Sequence, residues 1–251
     1  MSSQMSVLTR VIELERCGST NTECMRLAEA GAEHGTAVIT AEQTQGRGRR
    51  GRSWHSRGRG NLLASIILRP QRTLAELAPI SLVAGIAVAE AVRRFSVPAQ
   101  LKWPNDIVVG EKKIGGILTE SVSMRGERPA VVVGIGVNIV AAPSRAVVDQ
   151  PTTAMFDERS DEVSARLLLD VISACLVSPL ADFMMGGVSA IRDQWLALWR
   201  DRGQRSRVTR ARGDVFWGIA DGLRADGALV IKADSGERLS VVAGDVDIDY
   251  A

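Results

Sequence analysis

Aromatic residues make up only 4% of the 251-residue chain, and five of them are tryptophan. A chain so poor in rings has no row of aromatic faces on which successive bases could stack, and its core must be aliphatic. Cysteine is scarce too. Cys17, Cys24 and Cys175 are odd in number and form no C-x-x-C pair, which excludes a disulfide framework and a zinc knuckle and fits a reducing, cytoplasmic compartment. Long hydrophobic runs are missing: Leu77 to Val92 already contains Glu90 and falls short of the roughly 20 residues a bilayer span requires. Met1 to Leu8 carries no secretory signal pattern, so no membrane partner is expected. Excess charge is missing as well, with a net +2 from 31 basic and 29 acidic residues, which argues against general affinity for nucleic acid. No Walker sequence and no strand–G-x-G-x-x-G–helix unit occurs, and His34 and His55 assemble no Ser-His-Asp constellation.

Against this neutral background stands residues 43–60, with six arginines (Arg47, Arg49, Arg50, Arg52, Arg57, Arg59), five glycines and no acidic residue. Glycine permits close backbone approach to a ligand, and the guanidinium fork matches phosphate or carboxylate oxygens. The stretch cannot bury apolar surface by itself, so it is expected to be mobile when empty and ordered by an anion. It joins two β-branched runs, Thr36 to Ala41 and Asn61 to Leu68, and a long loop inside a compact domain is usually functional.

The rest of the chain alternates strands and helices. Val7 to Leu14 reads as a first strand, and Ser19 or Thr20 as the N-cap of a helix ending near Gly31. Leu77 to Phe95 has the spacing of a core helix. Leu101 to Gly110, with a Trp-Pro bracketed by Lys102 and Asp106, leads to a hairpin turn at Gly110-Glu111, after which Lys113 to Glu120 returns as a strand. Ala130 to Val140 is an apolar strand whose Gly134 and Gly136 signal close approach of another group, and whose Asn138 needs a polar partner. Residues 141–160 are turn-rich and show no chemistry. Val163 to Phe183, bent or interrupted at Pro179, and Ile191 to Trp199 follow as helices. Beyond residue 202 short strands are expected at 205–210, 214–220, 228–232, 238–242 and 246–249, with turns at Arg212-Gly213 and Asp226-Gly227, which describes a small β-barrel. The expected division is therefore a catalytic domain over 1–202 and a barrel over 203–251. Cationic side chains with close-approach glycines suit a polyphosphate, and Asp106 could hold Mg²⁺ between phosphates; adenylation of a carboxylate fits this inventory.

Taken together, GRGRRGRSW at Gly46 to Trp54, KWPND at Lys102 to Asp106, and KIGGIL at Lys113 to Leu118 resemble a biotin protein ligase, specifically the monofunctional type. The resemblance runs from Ser19 through Asn138 and into the C-terminal barrel. It implies an α+β fold, a mixed sheet flanked by helices of the class II synthetase-like biotin/lipoate ligase type, with an SH3-like C-terminal barrel. It implies biotin and MgATP as substrates, biotinyl-5′-AMP as intermediate, and transfer to one lysine of a biotin carboxyl carrier protein or domain. By position in the family's motifs, Ser19, Thr20, Asn21, Gln43, Gly46, Arg47, Trp54, Lys113, Gly115 and Gly116 would bind biotin. Arg49, Arg50, Arg52, Trp54, Asn105, Lys113 and Asn138 would bind the nucleotide, and Asp106 the magnesium ion. Lys113, Arg49 and Arg47 would carry the catalysis. Sheet-edge homodimerisation and carrier docking are compatible with the family. The rival readings are a lipoate-protein ligase or octanoyltransferase, the latter needing a cysteine nucleophile near the motifs, and a nucleic-acid-binding protein. Only eighteen residues precede Ser19, too few for the helix-turn-helix domain of bifunctional family members, so DNA binding is not expected.

Overall fold

The computed structural model describes residues 5–123, 129–156, 163–210, 215–242 and 244–248. Strands β1 (Arg10–Cys17) and β2 (Thr36–Gln43) pair in parallel across helix α1 (Thr20–Glu29). All other pairs of the seven-stranded sheet are antiparallel. It contains β3 (Leu62–Leu68), β4 (Gln100–Lys102), β5 (Asp106–Val109), β6 (Lys112–Val122) and β7 (Ala130–Val137), in the order β1-β2-β3-β7-β6-β5-β4. This is the mixed, helix-flanked sheet that the family resemblance implies.

The sheet separates two apolar layers. Alternate side chains of β7 point to opposite faces. Val131, Val133, Ile135 and Val137 enter the main core, where α3 (Ile80–Arg93), α4 (Ala165–Gly186) and α5 (Val188–Leu198) pack. Val132 enters a smaller cluster with Cys24 and Ala28 of α1, Val38 and Ile67. The short helix α2 (Leu74–Leu77), closed by a Thr73–Glu76 capping box, leads into α3. The stretches Leu74–Arg93 and Ala165–Gly186 reach the length and apolarity of a bilayer span, contrary to the expectation from sequence, yet they pack against each other and the sheet as core helices. Helix α4 also runs through Pro179 without a break. The first strand begins three residues later than expected, at Arg10.

The C-terminal part forms its own five-stranded antiparallel sheet from β8 (Arg205–Arg210), β9 (Val215–Leu223), β10 (Leu229–Ala233), β11 (Arg238–Val241) and β12 (Gly244–Ile248). Their order is β11-β10-β9-β8-β12, and among the described residues no pairing of β11 with β12 closes it into a barrel. The expected turn at Arg212-Gly213 lies outside the described residues. The small sheet docks through its β9–β10 turn. Gly227, at φ +79°, places its carbonyl 3.2 Å from the buried Trp103 Nε1 and lies against Pro79 and Leu82 at the start of α3.

Candidate functional site

The face of the large sheet that carries α1 is bare beyond the helix's first turn, and a cavity of about 1170 Å³ opens there. The register explains why it is open. On this face Ser65, Gly134 and Leu118 lie side by side, followed by Leu63, Gly136 and Gly116. Two adjacent strands thus contribute glycine where the pattern calls for valine. A Cβ at Gly134 would collide with the Asn21 carboxamide, and one at Gly136 would come within 2.5 Å of the Trp54 indole. The sequence reading of these glycines as points of close approach is met by these two neighbours.

At one end of the cavity stands the N-terminus of α1. Ser19 occupies the N-cap position, but its hydroxyl makes no capping bond. Gln43 replaces it from the neighbouring strand: Gln43 Oε1 accepts from the Thr20 amide at 2.8 Å and from Thr20 Oγ1 at 3.1 Å. The expected cap therefore fails in its side-chain sense, because a long-range partner satisfies the helix's free N–H and leaves the serine hydroxyl for another use. Ser65, fully buried on β3, bridges Thr20 Oγ1 at 2.7 Å and Asn21 Oδ1 at 2.6 Å. Asn21 Nδ2 donates to Leu118 O and to Glu120 Oε2. Ser19, Thr20 and Asn21 are each no more than 4% exposed, so this end is rigid and has a defined pattern of donors and acceptors.

At the other end the charge is cationic. Lys113 Nζ sits 2.6 Å from Asp106 Oδ1, with both side chains less than a fifth exposed. A register shift between Ile107 and Val108, the mark of a β-bulge, falls opposite Lys113–Gly115 and gives this lysine its direction. Its backbone is held on both sides, by Lys113 N to Pro151 O and Thr153 N to Lys113 O, each 2.9 Å. Lys113 Nζ also lies 5.7 Å from the centre of the Trp54 ring, and the buried Trp54 Nε1 has no hydrogen-bond partner. Beside them Asn105 is anchored to β6, Nδ2 donating to Ile117 O at 2.7 Å. The Trp103–Pro104 peptide is cis. Among the described residues no group of three or more acidic, histidine or cysteine side chains is placed to hold a metal ion, at Asp106 or elsewhere. A single carboxylate suits Mg²⁺ that arrives already held by phosphates better than a resident ion.

Over both ends folds the arginine stretch. It forms a narrow hairpin. Gly48 N donates to Arg52 O at 2.7 Å, Trp54 N donates to Gly46 O at 2.9 Å, and Arg50 (φ 56°) and Gly51 (φ 74°) turn the tip. Two arginines tie it down at opposite ends of the cavity: Arg47 to Glu120 at 2.7 Å and Arg49 to Asn105 at 3.3 Å. Farther along, Arg59 pairs with Glu15 on the exposed surface.

The structure thus brings together around one cavity Ser19, Thr20, Asn21, Gln43, Arg47, Arg49, Arg50, Arg52, Trp54, Asn105, Asp106, Lys113 and Gly116. Three residues of the expected set are not on its wall. Gly46 borders a second cavity beneath the hairpin, Gly115 packs under β7, and Asn138 lies behind β6, donating to Thr153 O. Sequence reasoning missed the segment Pro143–Thr152, which forms a further wall, and Arg200, which reaches the cavity from the connection between α5 and β8. The signal in both cases is long-range pairing, Thr152 beside Lys113 and Trp199 beside Leu101. No cysteine lines the cavity. Cys24 lies behind its polar end, with Sγ donating to Ser65 O and burial pushing its pKa up to about 12.

Residues 13–138 match the Biotin/lipoate A/B protein ligase family, and residues 203–249 match the Biotin protein ligase C terminal domain. A biotin–[acetyl-CoA-carboxylase] ligase of Paracoccus denitrificans is 33% identical over 90% of this chain and 95% of its own length. One from Mycobacterium tuberculosis is 32% identical over 91% and 85%. Among solved structures, the biotin protein ligase of Aquifex aeolicus in complex with biotin and ATP superposes with a TM-score of 0.79 at 26% identity, covering 97% of this chain and all of that one.

Proposed function

The chain belongs to the biotin protein ligases of the biotin/lipoate A/B protein ligase family, and from that premise we infer how its site performs their reaction. It joins biotin to ATP, forming biotinyl-5′-AMP, and then transfers the biotinyl group to a lysine of a carboxylase's biotin carboxyl carrier domain. The observation that carries the residue assignment is the sheet face cleared at Gly116, Gly134 and Gly136, with a fixed polar network at one end and Lys113 at the other.

Biotin is a flat, fused ring with a urea at one end and a carboxylate on a chain at the other. The glycines give the ring a flat floor. Ser19, Thr20, Asn21 and Gln43 would meet the urea, which both donates and accepts, and Trp54 would wall the ring. The carboxylate would then lie toward Lys113. In the first step a carboxylate oxygen attacks the α-phosphorus of ATP and pyrophosphate leaves. Two anions must approach, so the site's task is to offset charge more than to move protons. Lys113 would leave Asp106 for the carboxylate and α-phosphate, freeing Asp106 for the Mg²⁺ that comes with the nucleotide. Arg49, Arg50, Arg52 and Asn105 would hold the phosphates, and the hairpin would exclude water from the mixed anhydride. In the second step the neutral ε-amine of the carrier lysine attacks the acyl carbon and AMP departs. Arg47 and Gly46 act on biotin as parts of the hairpin, while Gly115 and Asn138 support the strands beneath.

An octanoyltransferase reading needs a thiol in the cavity, and the described lining holds none. Cytoplasmic location, a 1–202 and 203–251 domain division, a homodimer and an SH3-like closure of the small sheet are parts of the same proposal. The test is mass spectrometry of a purified carrier domain incubated with this protein, ATP, Mg²⁺ and either biotin or lipoate. The expected result is a gain of one biotinyl group; a gain with lipoate alone would refute the reading.

A further inference from the structure

Glu120 has no part in the chemistry set out above, yet the polar network and the arginine hairpin meet on one of its atoms. Asn21 Nδ2 donates to Glu120 Oε2 at 2.8 Å, and Arg47 Nη2 reaches the same oxygen at 2.7 Å. Asn21 belongs to the rigid network of α1, Arg47 to the hairpin. We propose that Glu120 is a positioning residue that sets the hydrogen-bonding sense of the biotin pocket and latches the arginine hairpin, so that ligand recognition and hairpin seating are coupled through one carboxylate. The inference rests on the biotin-ligase reading for the identity of the ligand, but not for the latch.

An ionised carboxylate only accepts. It therefore turns the Asn21 amide so that its NH₂ faces β6 and its Oδ1 faces Ser65. Ser65 has one proton and two neighbours, Asn21 Oδ1 at 2.6 Å and Thr20 Oγ1 at 2.7 Å. With that proton on Asn21, the Thr20 hydroxyl donates to Ser65 or to Gln43 Oε1, and a lone pair of Thr20 Oγ1 stays available for an N–H of the ligand. The acceptor character of the pocket's polar end thus begins at Glu120. The glycine pattern protects the arrangement, because only Gly134 leaves room for the Asn21 carboxamide in this orientation. The latch half is weaker by design of its surroundings: Arg47 is 41% exposed and Glu120 24%, so water and salt screen their attraction. A pair of that strength holds the hairpin in the empty protein and yields when an anion competes for Arg47.

The test uses Glu120→Gln, which keeps size and one acceptor oxygen but removes the charge and adds a donor facing two donors. Biotin affinity is read by titration calorimetry without ATP. Hairpin seating is read by the rate of tryptic cleavage after Arg49 in the ligand-free protein, with thermal unfolding as the control for folding. Glu120→Gln is expected to weaken biotin binding about three- to tenfold and to speed cleavage severalfold. In an Arg47→Met background, it should still weaken biotin but add nothing to cleavage, because the latch is already broken. Unchanged affinity and unchanged cleavage in a folded Glu120→Gln protein would overturn the proposal, as would cleavage effects that simply add. If the unaltered protein binds no biotin, the ligase reading falls while the cleavage measurements still decide the latch.

Discussion

The polar end of the cavity and the arginine hairpin over it are built on opposite principles. At the polar end Ser19, Thr20, Asn21 and Ser65 are each at most 4% exposed, and Thr20, Asn21 and Ser65 are bonded to one another and, through Thr20, to the half-buried Gln43. The lid over the cavity is a hairpin of glycine and arginine whose ties include Arg47 to Glu120 and Arg49 to Asn105, made by side chains that stay partly exposed. The difference matches the proposed placement of the ligands. A uncharged urea is bound well only by groups held in place beforehand, since an unmatched buried donor or acceptor costs more than the matched bond returns. A reactive, charged intermediate must be enclosed after it forms and released afterward, and exposed ion pairs allow that. Lys113, at the cationic end beneath the hairpin, combines the two, fixed in backbone like the polar end and charged like the hairpin.

The sharpest way to break this comparison is at that junction. Lys113→Ala should lower the rate of adenylate formation roughly 10²–10³-fold, the usual loss when a group that offsets transition-state charge is removed. The measurement is biotin-dependent exchange of pyrophosphate into ATP. A loss below tenfold would move the charge-offsetting role to the hairpin arginines.

The next largest effect is expected at the rigid end. Gly134→Ala puts a methyl group into the Asn21 carboxamide, which cannot retreat without leaving Ser65 and Glu120. Overpacking of this kind costs about 1–3 kcal/mol, so the biotin Kd should rise roughly five- to 150-fold. Turnover at saturating biotin should change far less. A fall in turnover with unchanged Kd would show that Asn21 serves the chemistry and not recognition.

Arg49→Gly addresses the hairpin and should leave biotin affinity alone. It releases the hairpin from Asn105, so biotinyl-5′-AMP should escape severalfold faster and label lysines on a bystander protein. Labelling confined to the carrier domain would show that Arg49 does not retain the intermediate.

The sequence revealed these two parts unequally. The arginine stretch was legible because it is local: six arginines and five glycines in eighteen residues cannot be mistaken for an apolar strand. Its hairpin geometry was not legible, since it arises from backbone bonds and from tethers to Asn105 and Glu120, which lie more than fifty residues away. At the polar end, Gly134 and Gly136 were read as close-approach points, and each has its neighbour. Ser65 and Glu120 escaped notice because neither belongs to a local motif and their partners lie 44 and 99 residues distant. The wall at Pro143–Thr152 escaped for the same reason; its place depends on pairing with Lys113, not on its own composition. The main strands and helices were readable, with shifts of a few residues at their ends, because burial on alternate positions imposes a period. The closed barrel expected beyond residue 202 reduces to an open set of pairings among the described residues.

The smallest predicted effect tests whether the polar end is closed in the unliganded protein. Cys24 lies directly behind it, on α1, with Sγ donating to the Ser65 carbonyl. Burial pushes its pKa up to about 12, so at pH 8 roughly one thiol in ten thousand would be thiolate, the form that reacts. Cys17 and Cys175 are only partly buried; burial raises both of their pKa values too. Iodoacetamide at pH 8, followed by peptide mass spectrometry, should therefore modify Cys17 and Cys175 while Cys24 stays intact until the protein unfolds. Saturating biotin should not change that order, because the network above Cys24 is already formed. If Cys24 reacts as fast as Cys17 and biotin then shields it, the polar end opens and closes with its ligand. The polar end and the hairpin would then differ in composition but not in rigidity.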